Sequence, residues 1–385
     1  MIITCNTTNL NKAIQTVQRA IISKPSTPIF SGIHLLTKEN KLEIQAMDLN
    51  MAIACTIEAD ILEAGEIVVS AKHFAELIRK LPGETIKITK NKENNTIKVE
   101  SGKSEFQLLL MNEEDYPKFP EFDGNQSISL EDEKIKELIK KTIFACSNDE
   151  ARPLFTGILV EIQDDTITFV GTNTHRLAIK SMAQETKEPM SMIIPAKVLN
   201  EISRNLTSEV PQQVNISLLY NQIMVTIDNV VIVSRLIEGK FPDYKKVIPP
   251  KFAVKTTVNI KELAGAVERV ALFSNEGDYS IIKVSVEQNE ITITSSSPDV
   301  GTGREVIACT TEGDKLNVAF NSKYILDILK NLESETAVLE MNTSLSPVCI
   351  KSDNEPDSDF GVHRGDLISF GIAQQGDRLL CVAVL

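Results

Sequence analysis

A chain of 385 residues is too long for one ordinary domain and suits two or three, each with its own core. With 42% hydrophobic and 24% charged residues and no low-complexity tract, the composition is globular and excludes general disorder. The net charge of -13 argues against a nucleic-acid partner only if it is evenly spread, because phosphate binding needs local lysine and arginine.

No apolar run approaches the roughly 18 to 20 residues that span a bilayer, and the opening MIITCNTTNLNKAI lacks the basic and apolar regions of a signal peptide. A cytoplasmic protein without a membrane partner is expected. Cys5, Cys55, Cys146, Cys309, Cys349 and Cys381 are scattered, with no C-x-x-C pair and no histidine at ligand spacing. They read as buried free thiols, with no metal and no disulfide framework.

In chain order, the pattern predicts a helix over 10–20 capped by Asn9, a half-buried strand over 41–46, and a second helix over 73–81. The same succession follows as a helix over 135–145 capped by Asp132, a strand over 166–170 and a helix over 198–206. It returns as a helix over 260–272 capped by Asn259, a strand over 290–294 and a helix over 324–332. Sequence identity supports the repeat. Pro28-Ile29-Phe30-Ser31-Gly32-Ile33 recurs 125 residues later as Pro153-Leu154-Phe155-Thr156-Gly157-Ile158. Tyr116-Pro117 and Phe241-Pro242 share that offset. A period this long marks domains rather than solenoid units. The expected domains are 1–126, 127–252 and 253–385, the last with an atypical tail from about 358. Helices and strands do not alternate regularly, so each copy is expected to be α+β with antiparallel sheet.

The second helix of each copy carries basic residues seven apart: Lys72 and Arg79, Lys197 and Arg204, Lys323 and Lys330. That spacing puts each pair on one helix face, about two turns apart. One such pair is ordinary solvated surface. Three in register imply a shared positive face inside an acidic protein. No aromatic residues interleave them and tryptophan is absent, so the face suits duplex backbone rather than stacked bases. Lys12, Arg19, Lys136, Lys140, Lys141 and Arg269 on the first helices are less regular.

Catalytic motifs are lacking. Gly301-Thr302-Gly303-Arg304 is not a Walker loop, Arg364-Gly365-Asp366 is a chance tripeptide, and none of His34, His73, His175 and His363 sits in a recognisable nucleophile motif. From the residues alone two readings stand, a tether on duplex DNA and a protein-interaction scaffold. An enzyme of nucleotide metabolism is the third.

The triple repeat, Gly171-Thr172-Asn173-Thr174-His175-Arg176-Leu177-Ala178 and Gly239-Lys240-Phe241-Pro242-Asp243-Tyr244-Lys245-Lys246-Val247 resemble the bacterial DNA polymerase III β subunit family, the β sliding clamps. The resemblance runs to about residue 357. It implies the DNA clamp fold, three tandem helix-and-antiparallel-sheet domains forming half of a six-domain ring, closed as a head-to-tail homodimer. It also implies a non-catalytic processivity factor without cofactor, whose partners are duplex DNA, a clamp loader, the polymerase III alpha subunit and other proteins carrying a clamp-binding motif.

By the same resemblance, Lys24 matches a DNA-contacting arginine, and Phe155, Thr172, Thr174, His175, Arg176, Leu177, Pro242, Lys246 and Val247 line a partner-peptide pocket. Leu177, Pro242 and Val247 are expected on its wall, His175 and Arg176 at its polar edge. Phe106 and Leu108 are expected to meet Leu272 and Phe273 across the dimer interface. Family members end in a strand with an apolar-Pro-apolar-Arg segment. Here the chain continues through residues 359–364 to a last apolar run, 379–385, which has neither proline nor arginine.

Overall fold

The computed structural model describes residues 1–22, 25–120, 126–186, 188–206, 211–274 and 280–353, together with the strand at 368–371. The element order strand, helix, four strands, helix, three strands occurs three times. The first copy comprises β1 (Ile2–Asn6), α1 (Thr7–Val17), β2 (Gly32–Lys38), β3 (Lys41–Met47), β4 (Met51–Glu63), β5 (Glu66–Ser70), α2 (Ala71–Lys80), β6 (Thr85–Asn91), β7 (Thr96–Ser101) and β8 (Ser104–Met111). The second comprises β9 (Gln126–Glu131), α3 (Asp132–Thr142), β10 (Gly157–Gln163), β11 (Thr166–Thr172), β12 (Arg176–Ala183), β13 (Met190–Pro195), α4 (Ala196–Asn205), β14 (Gln213–Leu219), β15 (Gln222–Ile227) and β16 (Val230–Arg235). The third comprises β17 (Val254–Asn259), α5 (Ile260–Ala271), β18 (Ile281–Val286), β19 (Glu290–Ser297), β20 (Gly301–Glu312), β21 (Leu316–Asn321), α6 (Ser322–Asn331), β22 (Thr336–Met341), β23 (Val348–Ser352) and β24 (Ile368–Gly371).

The helices form where a buried stripe recurs at helical spacing. Phe74 and Ile78 on α2, and Ile325, Ile328 and Leu329 on α6, are almost fully buried. Full burial of one such side chain is worth about 1.5–3 kcal/mol. The second helices begin two residues earlier than periodicity predicts, at Ala71, Ala196 and Ser322. On α6 the reason is polar, since Asn321 turns its side chain to accept from the backbone N–H of Lys323, whereas Ser70 before α2 makes no such bond. Asn9 is not the cap of α1. Asn6 is, accepting from the Asn9 N–H, so that helix starts at Thr7. Asp132 is the first residue of α3 rather than a flanking cap, whereas Asn259 caps α5 as expected.

The chain forms two compact units, Met1–Glu133 with Asn200–Leu236, and Lys134–Leu199 with Ile237–Leu385. In the first unit one antiparallel sheet runs β1-β6-β7-β8-β5-β2-β3-β4-β16-β15-β14-β9. The last strand of the second copy, β16, is added to the edge of β4 in the first, with Val233 opposite Ala52 and Ser234 opposite Met51. In the second unit the order is β13-β10-β11-β12-β24-β23-β22-β17-β20-β19-β18-β21. Here β24 is added to β12 in the same way, with Phe370 opposite Leu177 and Gly371 opposite Arg176. Copies are thus joined by edge-strand addition, which satisfies backbone groups that a free edge would leave open. The segments 359–364 and 379–385 lie outside the described residues. The place beside β12 is taken by 368–371.

Candidate nucleic-acid interface and partner pocket

On α2, α4 and α6 the six predicted basic residues all stand on the exposed face, opposite the buried stripe. The positions are equivalent in the three copies. Arg204 also donates to Glu201 at 2.7 Å while remaining 59% exposed. Lys24 lies outside the described residues. The first helices behave differently, because most of their basic groups are used within the chain. Arg19 reaches the buried carboxylate of Glu201 at 3.4 Å. Lys140 and Lys141 converge on Glu333 at 3.0 and 3.1 Å and hold its carboxyl below the usual range. Arg269 grips Glu305 with two nitrogens. The second helices therefore carry the regular positive face.

The residues expected to line a partner pocket fall in three stretches, Thr172 to Leu177 at the β11–β12 turn, Phe155 before β10, and Pro242 to Val247 after β16. Thr172 is buried; its hydroxyl donates to the Arg176 carbonyl at 2.7 Å and accepts from the Thr174 N–H at 3.1 Å. Thr174 sits in the left-handed region at φ 75°, and its hydroxyl accepts from Arg152. Leu177 is only 5% exposed and packs with Leu159, Val170, Ile179, Ile193, Phe241, Tyr244 and Cys349, bordered by half-buried Leu154, Ile237, Ile248 and Phe252. Phe155 meets Phe241 edge to face, with centroids 6.4 Å apart. Pro242 and Val247 are half-buried nearby in sequence, and Lys246 is exposed, paired with Asp243 at 3.1 Å. The apolar floor is thus broader than the predicted wall. Leu154, Phe241, Tyr244 and Ile248 join this apolar cluster, although none of them was expected there from the sequence. Their apolar character in a segment without periodicity was the only signal.

Arg176 does not stand at an open edge. Its Nη1 donates to Asp327 Oδ2 on α6 at 2.5 Å, its Nη2 to the Phe144 carbonyl, and its guanidinium lies 4.7 Å from the Tyr324 ring centroid and 5.4 Å from that of Phe144. Its Nε is the one buried side-chain polar atom among the described residues without a hydrogen-bond partner. His175 stacks on the same Tyr324 ring, with centroids 6.3 Å apart. Burial, and then the nearby Arg152 charge, lower its pKa. Arg176 and His175 therefore tie β12 to the second helix of the third copy.

Among the strands with an unpaired side are β8 and β20. β8 pairs with β7 along its length, but with β5 only at Leu110 and Met111, leaving Ser104–Leu109 unpaired on one side. β20 pairs with β19 over Gly301–Ala308 and with β17 only beyond, so its first half is also open on one side. Phe106 on β8 is 41% exposed and Leu108 half-buried; Leu272 after α5 is 72% exposed, and Phe273 lies over Gly303. The residues expected at an interface thus lie on or beside the open parts of β8 and β20. Among the described residues no cluster of His, Cys, Asp or Glu could hold a metal ion, and no helix is long and apolar enough to cross a membrane.

Three α+β copies joined edge to edge, with a positive face repeated on their second helices, define the DNA clamp class of protein. Comparison with known sequences agrees. The N-terminal, central and C-terminal domains of the DNA polymerase III beta subunit family match residues 1–120, 129–243 and 245–362. The beta sliding clamp of Staphylococcus epidermidis is 32% identical over 343 residues, covering 86% of this chain and 90% of the relative. That of Staphylococcus aureus is 31% identical with the same coverage. The crystal structure of the DNA polymerase sliding clamp from Bacillus subtilis superposes with a TM-score of 0.91 at 28% identity, covering 97% of this chain and 99% of that one. The chain belongs to the DNA polymerase III beta subunit family.

Proposed function

We propose that this chain is a DNA polymerase processivity factor: two copies close head to tail into a ring around duplex DNA and tether a polymerase to it. The chain itself performs no catalysis and needs no cofactor. Three domains, 1–126, 127–252 and 253–385, supply the six segments of the ring. A clamp loader opens it in the cytoplasm, and the polymerase III alpha subunit and other partners dock a short peptide over the apolar floor around Leu177.

The observation that carries this reading is the recurrence of exposed basic pairs at equivalent positions of α2, α4 and α6. Joined in a ring, six such helices present a positive lining to phosphates and no base-reading groups, so binding is sequence-independent. The test is the triple variant Lys72→Glu, Lys197→Glu and Lys323→Glu. All three residues are exposed, so the fold survives. Retention on circular duplex should fall, and its dependence on salt should flatten because fewer counterions are released. Unchanged retention and salt slope would remove these helices from the DNA-facing surface.

A further inference from the structure

The junction of the first and second copies is built like that of the second and third, which holds the floor around Leu177. At the first junction the added strand sets Val233 between Ala52 and Met224, as at the second Phe370 is set between Leu177 and Cys349. Ala52, Val68, Tyr116 and Phe119 each stand 125 residues before Leu177, Ile193, Phe241 and Tyr244. Both sets pack in apolar clusters. The first junction therefore carries an apolar floor of its own.

That floor is not closed over. Phe30, Met111, Phe119, Met224 and Val231 are only half-buried on it. At one end two turns lie side by side, because the Asn50 and Asn221 carbonyls accept from the consecutive N–H groups of Arg235 and Leu236 at 3.0 and 2.8 Å. These turns carry Leu49 and Tyr220, 63% and 94% exposed. Large apolar side chains gathered in this way mark an interaction surface. From β5 through β2, β3, β4 and β16 to β15 the floor is about 24 Å across at about 4.8 Å per strand, which is the length of about seven extended residues.

Charge gives the floor a direction. Glu113, Glu114 and Asp115 follow Met111, which pairs with Val68 of β5. They outnumber Lys90, which Glu113 pairs at 2.6 Å, and the exposed Lys118. Glu114 and Asp115 are exposed. On β16, Arg235 is exposed on the same strand face as Val231 and Val233. One side of the floor is thus acidic and the other basic. The second junction differs, since Asp115, Asn50 and Met51 stand where it has Lys240, His175 and Arg176.

We propose that the first junction is a second docking surface, whose occupant is a short extended peptide with large apolar anchors, a lysine or arginine toward Glu114 and Asp115, and an acidic residue toward Arg235. The anchors bury against Phe30, Met224 and Val231, and the end charges fix the direction of the chain. The inference rests on the proposed peptide reading at Leu177 for its kind of ligand, and its residues and charge preference are separate.

The probe is a random twelve-residue peptide library displayed on phage, selected against the full chain carrying Leu154→Asp to block the floor around Leu177. Enriched peptides are synthesised and titrated by calorimetry. They should carry apolar residues with a base on one side and an acid on the other. Met224→Asp should weaken them at least tenfold, and Glu114→Lys with Asp115→Lys about fivefold. Leu49→Asp and Tyr220→Asp change residues too exposed to hold the fold, so a loss of about threefold or more with either reads docking alone. No enrichment, or enriched peptides that bind all these variants like the parent, would overturn the surface. Selection on the parent that yields only peptides lost with Leu154→Asp would overturn it while leaving the reading at Leu177 intact.

Discussion

Arg176 offers the sharpest energetic test, because its guanidinium joins two copies through contacts that can be removed separately. Arg176→Ala deletes the 2.5 Å pair with Asp327, the donor to the Phe144 carbonyl and the packing against Phe144 and Tyr324. Breaking a fully buried pair costs about 3–5 kcal/mol. Asp327 is 42% exposed and rehydrates when left alone, which lowers the charge part to about 2 kcal/mol. Loss of the two ring contacts adds about 1 kcal/mol. The expected total is about 3 kcal/mol for Arg176→Ala, with Arg176→Met recovering the packing part. A double-mutant cycle with Asp327→Ala should return a coupling of about 1–2 kcal/mol. Urea unfolding followed by circular dichroism gives the stabilities, tryptophan being absent, and hydrogen exchange in α6 locates the loss. A change below about 0.5 kcal/mol with no coupling would mean that Arg176 does not hold α6 to β12.

Two further predictions concern the same region. A glutamine-leucine-phenylalanine peptide should bind, and Leu154→Asp should abolish binding in a calorimetric titration while leaving the circular dichroism spectrum unchanged, because Leu154 is half-buried at the border of the apolar cluster. Leu177 is a poorer probe, since at 5% exposure its replacement by Asp would unfold the cluster as well. His175, lowered below its usual 6.5, favours the neutral ring in the folded state; its contribution to stability is complete above pH 6.5 and is lost as pH falls through the lower folded value. The urea midpoint should therefore drop as pH falls below about 6.5, and drop less in His175→Gln.

Much of this architecture is legible in the sequence because the chain carries a long repeat. The offset of 125 residues between Pro28 and Pro153 marks tandem copies directly, and the seven-residue spacing of Lys72 and Arg79 fixes a helix face without knowledge of what it meets. Helix starts were less legible. Asn6 and Asn9 are equally good caps by composition, and the choice depends on which backbone N–H groups the fold leaves unsatisfied. The role of Arg176 could not be read at all, since Asp327 lies 151 residues away and no local pattern links them. Edge addition by β16 and β24 was invisible for a similar reason: strand pairing between copies is a long-range choice among several alternating segments, any of which has a suitable face.

The central claim is that the chain holds DNA by enclosing it rather than by gripping it. Protein loaded onto circular duplex by the proposed clamp loader and freed of excess should stay bound through gel filtration at moderate salt. A single cut by a restriction enzyme should then release it, and blocking the new ends with bulky adducts should prevent the release. Retention on open linear DNA equal to that on the circle would contradict enclosure and leave a surface-binding protein in its place.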